Sequence, residues 1–194
     1  MELAVRSYEP VARNHLDRLA EIVAAELRRF VQRCPEFQDR MIASVLAQGA
    51  ALHMLTGATG VKDLDVWMFF AALPGRRFPE YSQLVMRYDF GPSNLGRQDY
   101  RLADARNDRE RRLWASWASE HQGRRVDVMK RALQDPPDDD PATAIQSWLR
   151  AGQRRGRGSA FFLARKPMVL IDPLPRRHEI IWCGDHVAVG PADT

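Results

Sequence analysis

Apolar residues recur near the helical period at the start of the chain: Val11, Leu16, Leu19, Ile22, Val23, Leu27 and Phe30. That period predicts an amphipathic helix. Glu9-Pro10 opens it, since proline is tolerated in a first helical turn, and Cys34-Pro35 closes it. Arg13, Asp17, Arg18, Glu21, Glu26 and Arg29 fall on the other face and read as solvated. Phe37, Met41 and Ile42 suggest a short second helix from Glu36. Beyond it the pattern changes. Residues 44–46 are compact and mostly apolar and lead into Gln48-Gly49, residues 50–55 suit a turn or two of helix, and residues 56–60 form a loop by composition. Residues 64–71, rich in Val, Trp and Phe, predict a buried strand, and residues 82–90 a second strand with alternating character. Residues 91–112 are polar and loop-like, with a helix expected from Asp108 into Trp114 and Trp117. Residues 124–129 predict a third strand. After a Pro/Asp breaker at 135–141, two helices (141–154 and 159–165) and two late strands (168–171 and 179–182) are expected.

These elements predict an α/β chain with a small mixed sheet and flanking helices, built as one domain over 1–194. N-terminal helices occupy 1–43, a core 44–134, and further helices and strands 141–194. Composition supports a folded core: 45% of residues are hydrophobic and 9% aromatic, which argues against disorder or a disulfide scaffold. The longest apolar run, 66–73, is far short of the ~20 residues of a membrane helix. The early acid and missing apolar stretch at the N-terminus give no expectation of a signal peptide. Two cysteines, Cys34 and Cys183, read as reduced thiols of a cytoplasmic protein.

Charge adds a modest hint. There are 29 Lys+Arg against 25 Asp+Glu, a formal charge of +4, and only three of the basic residues are lysine (Lys62, Lys130 and Lys166). That balance fits a phosphate-bearing ligand without requiring nucleic acid. The densest basic stretch is Arg150, Arg154, Arg155, Arg157, Arg165 and Lys166, punctuated by Gly152, Gly156 and Gly158. It reads equally as a contact to triphosphate or RNA backbone and as a solvated interhelical loop.

The chemistry concentrates in residues 47–70. Asp63 and Asp65 are two apart, and on a strand such residues share a face. Two like charges so close are costly without a cation between them. Mg²⁺ takes oxygen ligands and commonly pairs one or two carboxylates with substrate phosphates. Upstream, Gly49 and the small Ala50 can let backbone N–H groups approach a phosphate. Lys62 can neutralise a phosphate or lie at a strand edge. Downstream, Asp127 stands between Val126 and Val128, an acid among buried positions, and Asp89 is its rival as a third carboxylate.

Gly49-Ala50, twelve residues, Asp63-Leu64-Asp65-Val66 and then a distant strand Asp127 resemble the nucleotidyltransferase superfamily with the DNA polymerase β-like fold. The resemblance covers about 44–129. Ala50 stands where that family usually has Gly or Ser, and the gap from Asp65 to Asp127 is long. It implies that Asp63, Asp65 and Asp127 bind two Mg²⁺ ions holding the triphosphate of an NTP, that Asp127 helps activate an acceptor hydroxyl, and that Gly49 and Ala50 touch phosphates. The expected function is transfer of an NMP to a hydroxyl acceptor of unknown kind, with no membrane involved. The alternatives are a catalytically inactive nucleotide- or RNA-binding regulator of the same fold, or a basic RNA-binding protein in which the acids are incidental.

Other motifs carry less. His53 reads as a packed histidine more readily than a general base. Cys183-Gly184-Asp185-His186 offers too few ligands for structural zinc. Ser159 suits a helix start, and Trp114, Trp117 and Trp148 suit helix packing.

Overall fold

The apolar run around Val66 forms the central strand of a six-stranded mixed sheet. The computed structural model describes residues 11–57, 61–79, 85–95, 107–134, 136 and 140–185. In chain order the elements are α1 (Arg13–Arg33), β1 (Met41–Ala47), α2 (Gln48–Thr56), β2 (Leu64–Ala71), β3 (Val85–Asp89), α3 (Asp108–Glu120), β4 (Arg125–Leu133), α4 (Pro141–Arg155), α5 (Gly158–Leu163), β5 (Met168–Asp172) and β6 (Ile180–Trp182). The strand order is β3-β4-β2-β1-β5-β6. Among the described strands, β2 and β4 pair in parallel and the other neighbours pair antiparallel.

The sheet separates two cores. On one face Leu46, Leu64, Val66, Met68, Phe70, Val126 and Val128 meet α1 and α2. Phe30, Phe37, Phe70 and Phe78 form an aromatic group at its end, with Phe30 and Phe70 ring centroids 5.0 Å apart. On the other face Val45, Ala47, Phe69, Met168 and Leu170 meet Ile145 and Leu149 of α4 and Leu163 of α5. Successive residues of a strand point to opposite faces, so Asp65 shares the second face with Trp67 and Phe69.

One expected element is corrected. The second helix from Glu36 is a single 3-10 turn, Pro35–Phe37, and Met41 and Ile42 already belong to β1. A few apolar residues do not distinguish a helix from a strand. Here the interior place between β2 and β5 decides, burying Ala43 to Ala47 completely. Glu26, read as solvated, is 2% exposed. Residues 9–10, 82–84 and most of the polar stretch after Gly91 lie outside the described residues. Asp140, from the acidic breaker, caps α4: its carboxylate accepts from the Thr143 N–H at 2.8 Å. Asp135, Asp138 and Asp139 lie outside the described residues. Cys34 and Cys183 are both free. Among the described residues no helix is long and apolar enough to cross a membrane.

Candidate functional site

The parallel register of β2 and β4 pairs Asp65 directly with Asp127. Asp63 stands two residues before Asp65, at the entry to β2. Two neighbouring acids and a third some sixty residues away therefore meet at one end of one sheet face. Arg125, two residues before Asp127, joins them: its Nη2 lies 2.9 Å from Asp63 Oδ2 and 3.0 Å from Asp127 Oδ2. Arg87, the register partner of Asp127 on β3, brings its Nε within 3.6 Å of Asp127 Oδ1. That Oδ1 is buried and accepts no hydrogen bond.

The electrostatics follow from this crowding. Burial pushes Asp65 up to about 8, the charges of Asp63 and Asp127 add to the rise, and Arg125 and Lys166 oppose it. Asp127 is raised in the same way: burial leads, Asp63 adds to it, and Arg125 and Arg87 work against it. Like charges without enough compensation hold protons above the ordinary carboxylate range. Lys166 belongs to the basic stretch of the sequence, and its charge lowers the Asp65 pKa.

The site's other side is the turn from β1 into α2. Gln48, the first residue of α2, has a φ of +60°, a backbone state that costs a non-glycine residue about 1–2 kcal/mol. Gly49 follows, partly exposed, and a Cβ built there meets nothing within 4 Å. Packing does not demand a glycine, and the space before its backbone is open. Ala50 is buried against the first core, so its methyl faces away from that space.

Asp89 is committed elsewhere. It accepts from the N–H groups of Gly91 (2.9 Å), Gln122 (3.0 Å) and Gly123 (2.8 Å). Burial raises its pKa, but these bonds outweigh burial and hold it below its usual value. A carboxylate with both oxygens on backbone amides organises the 89–91 and 122–123 turns. Lys62 turns to α3, 3.8 Å from Glu110 and 3.9 Å over the Trp114 ring. His53 is buried in α2. Ser159 lies within the first turn of α5, whose N-cap is Arg157.

Arg124 and Arg125, the basic pair just before Asp127, take different tasks. Arg124, 2% exposed, donates through Nε to Leu95 O at 2.8 Å and through Nη1 to Val61 O. It anchors the segment that delivers Asp63. Arg125 bridges the carboxylates. The signal available in the sequence was their adjacency to Asp127: residues two apart on one strand share a face, which puts Arg125 beside that acid.

Among the described residues, no set of three or more His, Cys, Asp or Glu side chains stands ready to hold a metal. The Arg125 guanidinium fills the space between Asp63 and Asp127. The donor chemistry nevertheless suits a hard cation: oxygen ligands only, an orphaned buried Asp127 oxygen, and an open backbone at Gly49. No known family model, curated protein or solved structure matches the chain.

Proposed function

We propose that the chain is a Mg²⁺-dependent nucleotidyltransferase that moves an NMP from an NTP to a hydroxyl acceptor. The observation that carries this reading is the register pairing of Asp65 with Asp127, beside Asp63 and opposite the open turn at Gly49. Asp63, Asp65 and Asp127 would hold Mg²⁺, which supplies charge neutralisation for the triphosphate. The N–H groups at the start of α2, with the positive end of the helix dipole, favour phosphate oxygens there.

The chain's own residues account for the proton and the charge. The acceptor oxygen attacks the α-phosphorus, a P–O bond forms, the bond to the β-phosphate oxygen breaks, and pyrophosphate leaves. Asp127, whose pKa is raised by burial, would take the hydroxyl proton, and a raised pKa makes a carboxylate a stronger base. Arg125 and Lys166, both felt by Asp65, are placed to balance negative charge that builds on the phosphoryl group.

Calorimetry of Mg²⁺-ATP and Mg²⁺-GTP tests the assignment, with wild type compared against the Asp63→Ala, Asp65→Ala double variant. Wild type should bind and the variant should lose at least tenfold in affinity. Equal binding by both proteins would remove the carboxylates from the site. A second reading, a nucleotide-binding regulator without turnover, is favoured by Arg125 lying between two of the acids. Labelled NTP incubated with cell extract separates the two. Label that moves to an acceptor, and stops moving in the Asp variant, supports the enzyme.

A further inference from the structure

A cavity of about 740 Å³ lies between α4 and the last residues of β4, within the size range of small-molecule sites. Arg131, one of its lining residues, stands four residues beyond Asp127 on β4 and shares its face by the strand period. Four strand residues span about 13 Å, and none of the three acids lines the cavity. It is a second site, apart from the carboxylates. One helix face shapes it. Ala144, Ser147, Trp148, Ala151 and Arg155 recur at helical spacing along α4 and all border the space. Three of these five side chains are small, so the helix leaves volume beside the sheet that larger apolar residues would fill.

The lining combines flat apolar walls with charge of one sign. Trp148 is half-buried and held in place: Phe69 packs T-shaped against it with ring centroids 5.4 Å apart, and the Arg131 guanidinium lies 5.9 Å from its centroid. Phe78 adds a second aromatic wall. Arg131 and Arg155 come from a strand and a helix, and both side chains are exposed. No Asp or Glu is among the described lining residues, and neither guanidinium has an ion pair among the described residues. Arg155 is tied to its own helix through Nε, which donates to Ala151 O at 3.2 Å. A guanidinium presents a planar fork of donors that matches a carboxylate or phosphate group.

We propose that this cavity binds a small aromatic acid, an organic anion with a flat apolar body. Its carboxylate or phosphate group meets Arg131 and Arg155, and its ring lies along Trp148 and Phe78. The two guanidinium charges supply the attraction, and the aromatic walls select a planar body over a bare inorganic anion. The site stands on its own residues and owes nothing to the chemistry at Asp63, Asp65 and Asp127.

The probes are benzoate, phenyl phosphate and the neutral benzyl alcohol, titrated without metal into wild type, Arg131→Gln and Arg155→Gln. The readout is the NMR signal of the Trp148 indole N–H, assigned by its disappearance in Trp148→Phe. Both arginines are exposed, so these changes leave the fold intact. At least one anion should move the Trp148 signal saturably in wild type. Its affinity should fall about tenfold in each arginine variant, the worth of one charge-assisted hydrogen bond, and benzyl alcohol should bind more weakly than either anion. Tighter binding of benzoate assigns a carboxylate head group and tighter binding of phenyl phosphate a phosphate; both outcomes support the site. Three results overturn it: no anion moves the Trp148 signal, an anion binds all three proteins alike, or benzyl alcohol binds as tightly as the anions. The Asp63→Ala, Asp65→Ala double variant should bind the probes like wild type, so failure of the catalytic reading leaves these results standing.

Discussion

Asp65 is the residue at which chemistry and stability oppose each other. Its pKa of about 8 in the folded chain lies above the ordinary 3.8, so the folded state holds a proton that the unfolded state has lost between those values. Stability therefore falls as pH rises through that window, and the favourable contribution is complete only below about pH 4. Asp65→Asn keeps the shape and removes the charge. In metal-free buffer the variant should match wild type near pH 4 and melt higher than wild type at pH 8, with a flatter pH profile. Mg²⁺ should raise the wild-type melting temperature at pH 8 and leave the variant's almost unchanged. A wild-type profile that is flat from pH 4 to 8 would contradict the crowding. Much of this was legible in the sequence, because Asp63 and Asp65 share a face by strand period alone and Asp127 is marked by its valines. The bridging by Arg125 was not, because it depends on the parallel register of strands some sixty residues apart, as the Arg125–Asp63 bond shows. Nor was the positive φ at Gln48, where the sequence drew attention to its neighbour Gly49.

Among the elements, α4 and α5 show how a basic, glycine-punctuated stretch resolves into separate tasks. Gly156 ends α4 at a φ of +65°, the left-handed stop in which glycine is favoured. Gly152 works by size instead. A Cβ there would stand 2.3 Å from Ala160 Cβ and 2.7 Å from the Ala160 carbonyl carbon, so α5 packs directly against the α4 backbone. Neither task is visible from a glycine count, since a φ value and a helix crossing are both tertiary facts. Lys166, at the end of the same stretch, lowers the Asp65 pKa by its charge. Gly152→Ala should push α5 outward, because the obstructing atoms include backbone and cannot rotate away. We expect a loss of about 1–3 kcal/mol in urea denaturation. An alanine variant with wild-type stability would show that the two helices have slack between them.

Across the whole molecule, the scarcity of lysine turns out to be informative: each of the three has an acidic neighbour. Lys62 pairs with Glu110, Lys166 is felt by Asp65, and Lys130 is buried under α1. The side chains of Lys130 and Glu26 are both buried, with Nζ on Glu26 Oε1. Tyr88 donates to the other Glu26 oxygen, and the Lys130 ammonium lies 5.5 Å from the Phe30 ring centroid. One helix is thereby tied to two strands on the face opposite the acidic site. The amphipathic pattern placed Glu26 on the solvated side, and it was misleading because a charge can be buried only when a partner meets it, and that partner comes from β4. Burial lowers the Lys130 pKa, and Glu26 partly restores it. Removing one member of such a pair leaves an uncompensated buried charge, a loss of about 3–5 kcal/mol, whereas replacing both with apolar groups is often close to neutral. Lys130→Met alone should therefore lower the unfolding free energy by that amount. Glu26→Leu combined with Lys130→Met should recover most of it, because the half-buried Tyr88 hydroxyl can turn to water. Urea denaturation of the two single variants and the double variant supplies the complete cycle. Strictly additive losses would mean that the residues act independently and that apolar packing alone holds α1 to the sheet. A strong positive coupling would instead identify the pair as the contact that fixes α1 over β3 and β4, the two strands that also carry Arg87 and Asp127 on their other face.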